Sequence, residues 1–288
     1  MPWRDTLSLS YNIADTNSPS PGSPITTEGQ SEVLSLRYTR PLPALWGLTQ
    51  SVSLSYDFKS TNNDILFGGT SVFPSLTEIH QLVANYDAQE SDRLGTTSLD
   101  LGVTGSPGGI GRLNSDAAFQ TQQFGATARY VYGRAIVDRV TALPFGLSWD
   151  VRGMLQISGA RLLPSEQMAF GGPQSNRAYI SYVVTRDNGF QFSTELRAPA
   201  ITGILSRLVN LGDQGDQLVA FLFFDDGVGW THAAAGSSTF IRMASIGPGI
   251  SYQFSRYTTV SFTYGAPLER ISQSGDVLRP QFAVQLTF

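Results

Sequence analysis

The chain has 288 residues, a formal net charge of −4, and eighteen arginines against a single lysine, Lys59, so it offers no basic patch for nucleic acid. It contains no cysteine, which excludes disulfide frameworks and thiolate metal sites, and no apolar run approaches the roughly 20 residues of a membrane helix. Charged residues make up 15%, below the roughly 25% usual for soluble domains, and Ser, Thr, Gly, Gln and Asn fill the deficit.

Apolar residues recur with period two from the start of the chain. Leu7, Leu9, Tyr11 and Ile13 alternate with Ser8, Ser10 and Asn12; Leu34, Leu36 and Tyr38 with Ser35 and Arg37; Val52, Leu54, Tyr56 and Phe58 with Ser53, Ser55 and Asp57. Each run is a strand with one apolar and one polar face. The pattern weakens through 80–87 and 97–104 and strengthens over 124–132. It is cleanest over 145–158, where Phe145, Leu147, Trp149, Val151, Leu155 and Ile157 share one face. Phe190, Phe192 and Leu196 then oppose Gln191, Ser193, Glu195 and Arg197, and further strands follow at 218–224, 244–254, 258–264 and 282–288. The total is about twelve strands.

Connection lengths alternate. Long ones are expected near 14–30, 59–76, 105–120, 158–187, 227–240 and 265–280, and short ones near 40–49, 88–95, 136–144 and 254–257. The stretch 199–216 breaks the rhythm, and its ILSRLVNL suits a short helix. Long loops at one rim and short turns at the other are the pattern of an all-β, antiparallel, transmembrane β-barrel. Strands of roughly ten residues with aromatic residues near their ends fit a bilayer when tilted. The N-terminal MPWRDTLSLSY has neither the basic nor the apolar region of a signal peptide.

Groups for catalysis are sparse. His80 and His232 have no GxSxG or HExxH companion, so no enzyme activity, metal or cofactor is expected. GSPGGIG at 105–111 reads as a flexible loop because no helix is expected after it, and Asp225-Asp226 as a strand end meeting water. The expected lumenal set, Arg37, Asp57, Asp87, Asp100, Arg129, Asp150, Arg152, Glu195 and Arg197, is mixed in sign. It fits a hydrated conduit for an unfolded polypeptide, and equally the ordinary polarity of a barrel interior.

The most specific stretch is 170–199. Phe170-Gly171-Gly172, Ser175-Asn176-Arg177-Ala178-Tyr179, Arg186-Asp187-Asn188-Gly189 and Glu195-Leu196-Arg197-Ala198-Pro199 resemble, in order and spacing, the sixth-loop region of the two-partner secretion transporters, the haemolysin secretion/activation family. FLFFDDG at 221–227 extends the likeness, and the terminal Leu286 and Phe288 look like the assembly signal of bacterial outer-membrane proteins. Asn176, Ala178 and Arg186 stand where the family pattern has Val, Gly and Gly, and Ala178 resists the positive φ that glycine permits.

The resemblance implies a sixteen-strand barrel whose sixth loop folds into the lumen as a latch or gate. Arg177 would meet Asp187, Tyr179 would pack at the tip, and Gly189 and Glu195 would belong to the same site. An arginine in a partly dehydrated lumen requires a carboxylate partner. Five strands follow the loop, as in the family, and seven precede it where the family has eleven. Residues 1–288 would then be one outer-membrane barrel domain, strands five to sixteen, truncated before its signal peptide, plug helix and periplasmic POTRA domains. The implied function is translocation of a haemolysin- or adhesin-like partner exoprotein across the bacterial outer membrane, with the lipid bilayer and the assembly machinery as further partners. The alternatives are an insertase of the same superfamily, a passive porin-like channel, or a non-functional barrel fragment.

Overall fold

The computed structural model describes residues 5–19, 25–44, 47–67, 70–73, 75–180, 184–204, 216–232, 240–255, 258–271 and 279–286. Twelve long strands follow one another as an antiparallel meander: β1 (Thr6–Pro19), β2 (Ile25–Pro41), β3 (Thr49–Phe67), β4 (Leu76–Ser91), β5 (Gly95–Pro107), β6 (Arg129–Ala142), β7 (Ser148–Ser158), β8 (Asn188–Arg197), β9 (Gln217–Trp230), β10 (Phe240–Ser255), β11 (Thr258–Pro267) and β12 (Arg279–Leu286). Each pairs with its neighbours in sequence, and two short strands, Thr70–Phe73 and Ile201–Thr202, complete a 14-stranded sheet. Among the described residues β1 and β12 do not pair with each other, so the sheet is open.

Exposure inverts the pattern of a water-soluble sheet. Leu9, Leu54, Leu82, Val103, Val131, Leu155, Leu222 and Ile250 are exposed on the outer face, whereas Thr77, Gln81, Thr104, Gln156, Gln191 and Asp225 are buried on the concave face. Alternating apolar-out and polar-in is the arrangement that a bilayer outside and water inside would select. No helix among the described residues is long and apolar enough to cross a membrane.

Several sequence expectations need correction. The connections expected at 14–30 and 59–76 are largely strand, with β1 and β2 pairing as far as Pro19↔Thr26 and β3 running 19 residues. Beyond the thickness of a bilayer both faces meet water, so the period-two signal fades while the ladder still satisfies the backbone. Residues 124–128 are not strand. A helix, α1 (Asp116–Gln122), does follow the glycine run, begun by Ser115, whose Oγ accepts from Ala118 N at 3.4 Å. Phe145 does not share the apolar face of β7: it stands in the preceding turn at φ 64° and is 93% exposed. Arg129 lies on the outer face with Val131, because Tyr130 and Tyr132 take the buried positions. The proposed helix at ILSRLVNL falls almost wholly outside the described residues.

The concave face is filled by the connection between β7 and β8. It contributes Leu162 and Leu163 to one apolar cluster with Ile79, Phe119, Tyr130 and Tyr132. It contributes Met168, Phe170, Ala178 and Tyr179 to a second, which packs on Met243 of β10.

Candidate functional site

The loop at 159–187 leaves β7, forms a small hairpin in which Met168–Phe170 pairs with Val184–Arg186, and carries its tip between the two hairpin strands. Gly171 and Gly172 start the tip at φ 93° and 94°, angles closed to most side chains. The Gly172 N–H donates to the carbonyls of Asn176 and Tyr179, each at 3.2 Å, and this closes the turn.

The tip rests on a floor of glycines. A Cβ on Gly229 would lie 2.8 Å from the Phe170 ring, one on Gly227 2.9 Å from Asn176 Oδ1, and one on Gly265 2.9 Å from Ala178 Cα. Close approach of loop backbone to sheet is what the missing side chains allow. Ala178 itself needs no left-handed geometry, since Phe145 is the only non-glycine residue at positive φ among those described. Asn176 donates from Nδ2 to Met243 O at 3.1 Å, so the departure from the family pattern here is a tie to β10.

Arg177 is the centre of the site. Its Nε and backbone N–H both donate to Asp225 Oδ2 at 3.0 Å, and Nη2 donates to Asp225 Oδ1 at 2.6 Å. Nη1 donates to Glu195, and Nη2 also reaches Ser193 Oγ at 3.0 Å. Ser193 and Ser245 each donate to Asp225, at 2.8 and 3.1 Å. The guanidinium lies over the Phe223 ring, 3.9 Å from its centroid, and Asp225 is fully buried. Two-pronged pairing, extra donors to the carboxylate and an aromatic face beneath the cation are what a buried arginine requires.

The expected Arg177–Asp187 pair is not formed. Asp187 immediately precedes β8, whereas the guanidinium sits at the level of Ser193, which pairs with Asp225. Six residues of strand separate those levels, about 20 Å at the usual rise. Asp187 instead accepts from Leu162 N at 2.9 Å, Gln167 Nε2 at 2.8 Å, His232 N at 2.9 Å and the Thr231 hydroxyl. It ties both limbs of the loop to the segment after β9.

The other expected residues fall as follows. Glu195 is the second carboxylate on Arg177 and is shared with Arg197 Nη2 at 2.6 Å. Tyr179 is buried, its hydroxyl 3.0 Å from Ala244 O and 2.7 Å from Glu269 O. Gly189 does not touch Arg177; it leaves room for Phe170 and Met168. Leu286 ends β12, and Phe288 lies outside the described residues. His80 is on the outer face, with Nδ1 2.6 Å from the Tyr56 hydroxyl, and His232 is at the rim against Ser158 O, so the two histidines do not converge.

Sequence reasoning missed Asp225 as the partner. The signal was present: Phe221, Phe223, Asp225 and Gly227 share one face of β9, and a carboxylate on a buried face requires a cation. Around the tip the walls are mixed in sign, with Arg152 donating to Asp138 at 2.9 Å and Arg197 within 2.8 Å of Asp150. Cavities of about 230 and 200 Å³ flank Gln174 and Arg177 on the two sides of the tip.

A model of the haemolysin secretion/activation protein family ShlB/FhaC/HecB matches residues 1–252. CdiB from Escherichia coli superposes with a TM-score of 0.75 at 16% identity, over 97% of this chain and 49% of that one. CdiB from Acinetobacter baumannii gives 0.67 at 16% identity, over 98% and 47%. BamA from Haemophilus ducreyi lacking POTRA domains 1–3 gives 0.62 at 11% identity, over 98% and 64%. The chain spans about half the length of the CdiB chains, and at these identities the likeness concerns the fold alone. No curated protein matches.

Proposed function

Because this chain belongs to the ShlB/FhaC/HecB haemolysin secretion/activation family, a transporter family of outer-membrane barrels, we propose that residues 1–288 are the barrel portion of a transporter that passes a haemolysin- or adhesin-like exoprotein to the cell surface. The observation that carries this reading is the Arg177–Asp225 pair, which fastens a long loop inside the sheet where a permeating chain would have to pass. In the closed state Glu195, Ser193 and Ser245 complete the shell around the pair, Tyr179 fixes the tip to β10, and the glycine floor holds the loop against the wall. Gly189 acts by being small.

Opening requires the tip to leave that floor. Water and the client's own polar groups would then take over the hydrogen bonds of Arg177 and Asp225, and the mixed-sign walls would contact an extended backbone without retaining it. No cofactor or hydrolysis enters this mechanism. Leu286 and Phe288 are proposed as the signal read by the assembly machinery, and the exposed apolar face as the surface that the lipid bilayer covers.

The test is to produce the protein in a bacterium with an outer membrane, together with a candidate haemolysin- or adhesin-like exoprotein, and to measure that exoprotein in the medium. Secretion is expected with the native chain and a severalfold loss with Tyr179→Ala. Steady ion conductance in planar bilayers without any secreted exoprotein would replace the transporter by a passive channel.

A further inference from the structure

The loop touches two walls of the sheet, and only one of them is engaged through Arg177. On the other, Lys59 of β3 donates from Nζ to Glu166 Oε1 at 2.8 Å. Glu166 is 1% exposed and its second oxygen accepts from the Tyr132 hydroxyl at 3.0 Å. The Gln81 amide lies 2.8 Å from the hydroxyl of Tyr130, whose ring stacks on Tyr132 with centroids 6.1 Å apart. Phe119 of α1 and Ile79 of β4 pack with Leu162 and Leu163 beside this network. Gln156 of β7 donates to the Glu166 carbonyl at 3.1 Å.

We infer that the loop is a strap fastened at two independent seats, and that Lys59 and Glu166 form the second, an ion pair that holds the outgoing limb to the β3–β6 wall while Arg177 holds the tip to β8–β10. This rests on the gating reading above and adds positioning residues to it. The two seats share no side chain, stand on different strands and belong to separate apolar clusters. A chain with eighteen arginines places its one lysine here. A point charge on a flexible stem suits a lone carboxylate oxygen, where the fork of an arginine would leave donors unpaired. Loss of Lys59 strands Glu166 as a buried charge without a cation, so the seat is held firmly until both move together. Freeing the tip alone leaves the outgoing limb across the lumen, and full opening is a two-step release.

The sole lysine and the absence of cysteine make each seat separately readable. The full chain is taken in detergent micelles as the Ser245→Cys variant, which places one thiol beneath the tip. Acetylation of Lys59 by an amine-reactive ester and labelling of the thiol by a methanethiosulfonate reagent are followed by mass spectrometry, with heat-modifiable migration confirming the fold. Both sites are expected to react slowly in the otherwise native chain. Arg177→Ala should speed thiol labelling at least tenfold and leave Lys59 protected; Glu166→Gln should speed Lys59 acetylation at least tenfold and leave the thiol protected. Should Glu166→Gln fail to fold, Tyr132→Phe, which removes only one bond to Glu166, should raise Lys59 reactivity severalfold. Overturning results are Lys59 reacting as fast as a free amine in the native chain, no rise in Lys59 reactivity with the variant that folds, or both reporters rising together in either variant. Independent seats without any secretion would remove the transport reading and keep the strap; coupled seats with intact secretion would do the reverse.

Discussion

The two seats of the loop meet the same requirement, a matched charge taken out of water, by different construction. The tip seat is flat: Arg177 spreads over Phe223, its carboxylates lie on adjacent strands, and the glycines on β8, β9 and β11 let the loop backbone touch the sheet. The outgoing seat is deep: Lys59 reaches inward to a glutamate supplied by the loop, and tyrosines rather than serines complete its shell. A rigid planar cation and a small-residue floor fix orientation as well as position, whereas a flexible ammonium fixes position alone. The tip seat therefore dominates specificity of docking, and the outgoing seat adds holding force.

Arg177→Ala should break this contrast most severely, since it leaves Asp225 buried without a cation. A loss of roughly 3–5 kcal/mol is expected, read as a shift of the denaturant midpoint in micelles. The Arg177→Ala/Asp225→Ala double variant should lose clearly less than the sum of the two single losses. Additive losses would mean that the pair is not a unit.

Asp187→Ala comes next, because Asp187, at the end of the returning limb, accepts from Leu162 and Gln167 on the outgoing limb and from His232 after β9. The expected cost is about 1–3 kcal/mol, and both labelling reporters should speed up, since this residue joins what the seats keep apart. A rise at only one seat would place Asp187 within that seat.

The floor gives a finer contrast between two glycines. Gly229→Ala would put a Cβ 2.8 Å from Phe170 and should cost about 1–3 kcal/mol with faster thiol labelling under the tip. Gly133→Ala, where the nearest atom would be 3.9 Å away, should stay within about 0.5 kcal/mol. Equal effects would deny the floor its role.

The smallest effect lies away from both seats, in the turn between β4 and β5. Hydrogen bonds from Arg139 and from the N–H groups of Leu94 and Gly95 hold the Asp92 carboxyl at about 2, below its ordinary 3.8. A depressed carboxylate stabilises the fold fully above its ordinary value, and that contribution fades as pH falls from about 4 through 2. Acid titration over that window should loosen the turn slightly, and Asp92→Asn should abolish this part of the acid sensitivity without changing the labelling of Lys59.

Much of this was legible in the chain. Period-two alternation located the strands and their outer faces, from Leu7 to Phe262, because a strand half in lipid and half in water must alternate. Connection lengths gave the up-and-down order, and the glycines and Arg177 marked the loop. What faded was strand length beyond the bilayer, where β1, β2 and β3 continue through largely polar sequence without a clear period. The brief helix α1 was hidden for a related reason: seven residues carry too little periodicity to register.

The partner of Arg177 marks the limit. The family resemblance pointed to Asp187 as the partner, and Asp225 read as a strand end meeting water. Register decided otherwise, setting Ser193 opposite Asp225 at the level of the tip and leaving Asp187 about 20 Å away along the strand. The Lys59–Glu166 pair, 107 residues apart, was equally beyond local reading. The sequence by itself determined the alternation of faces along most strands, since that depends only on neighbours two positions away; the side taken by Arg129 and which buried charges meet were settled by strand pairing and the path of the loop, which bring together residues that no local period relates.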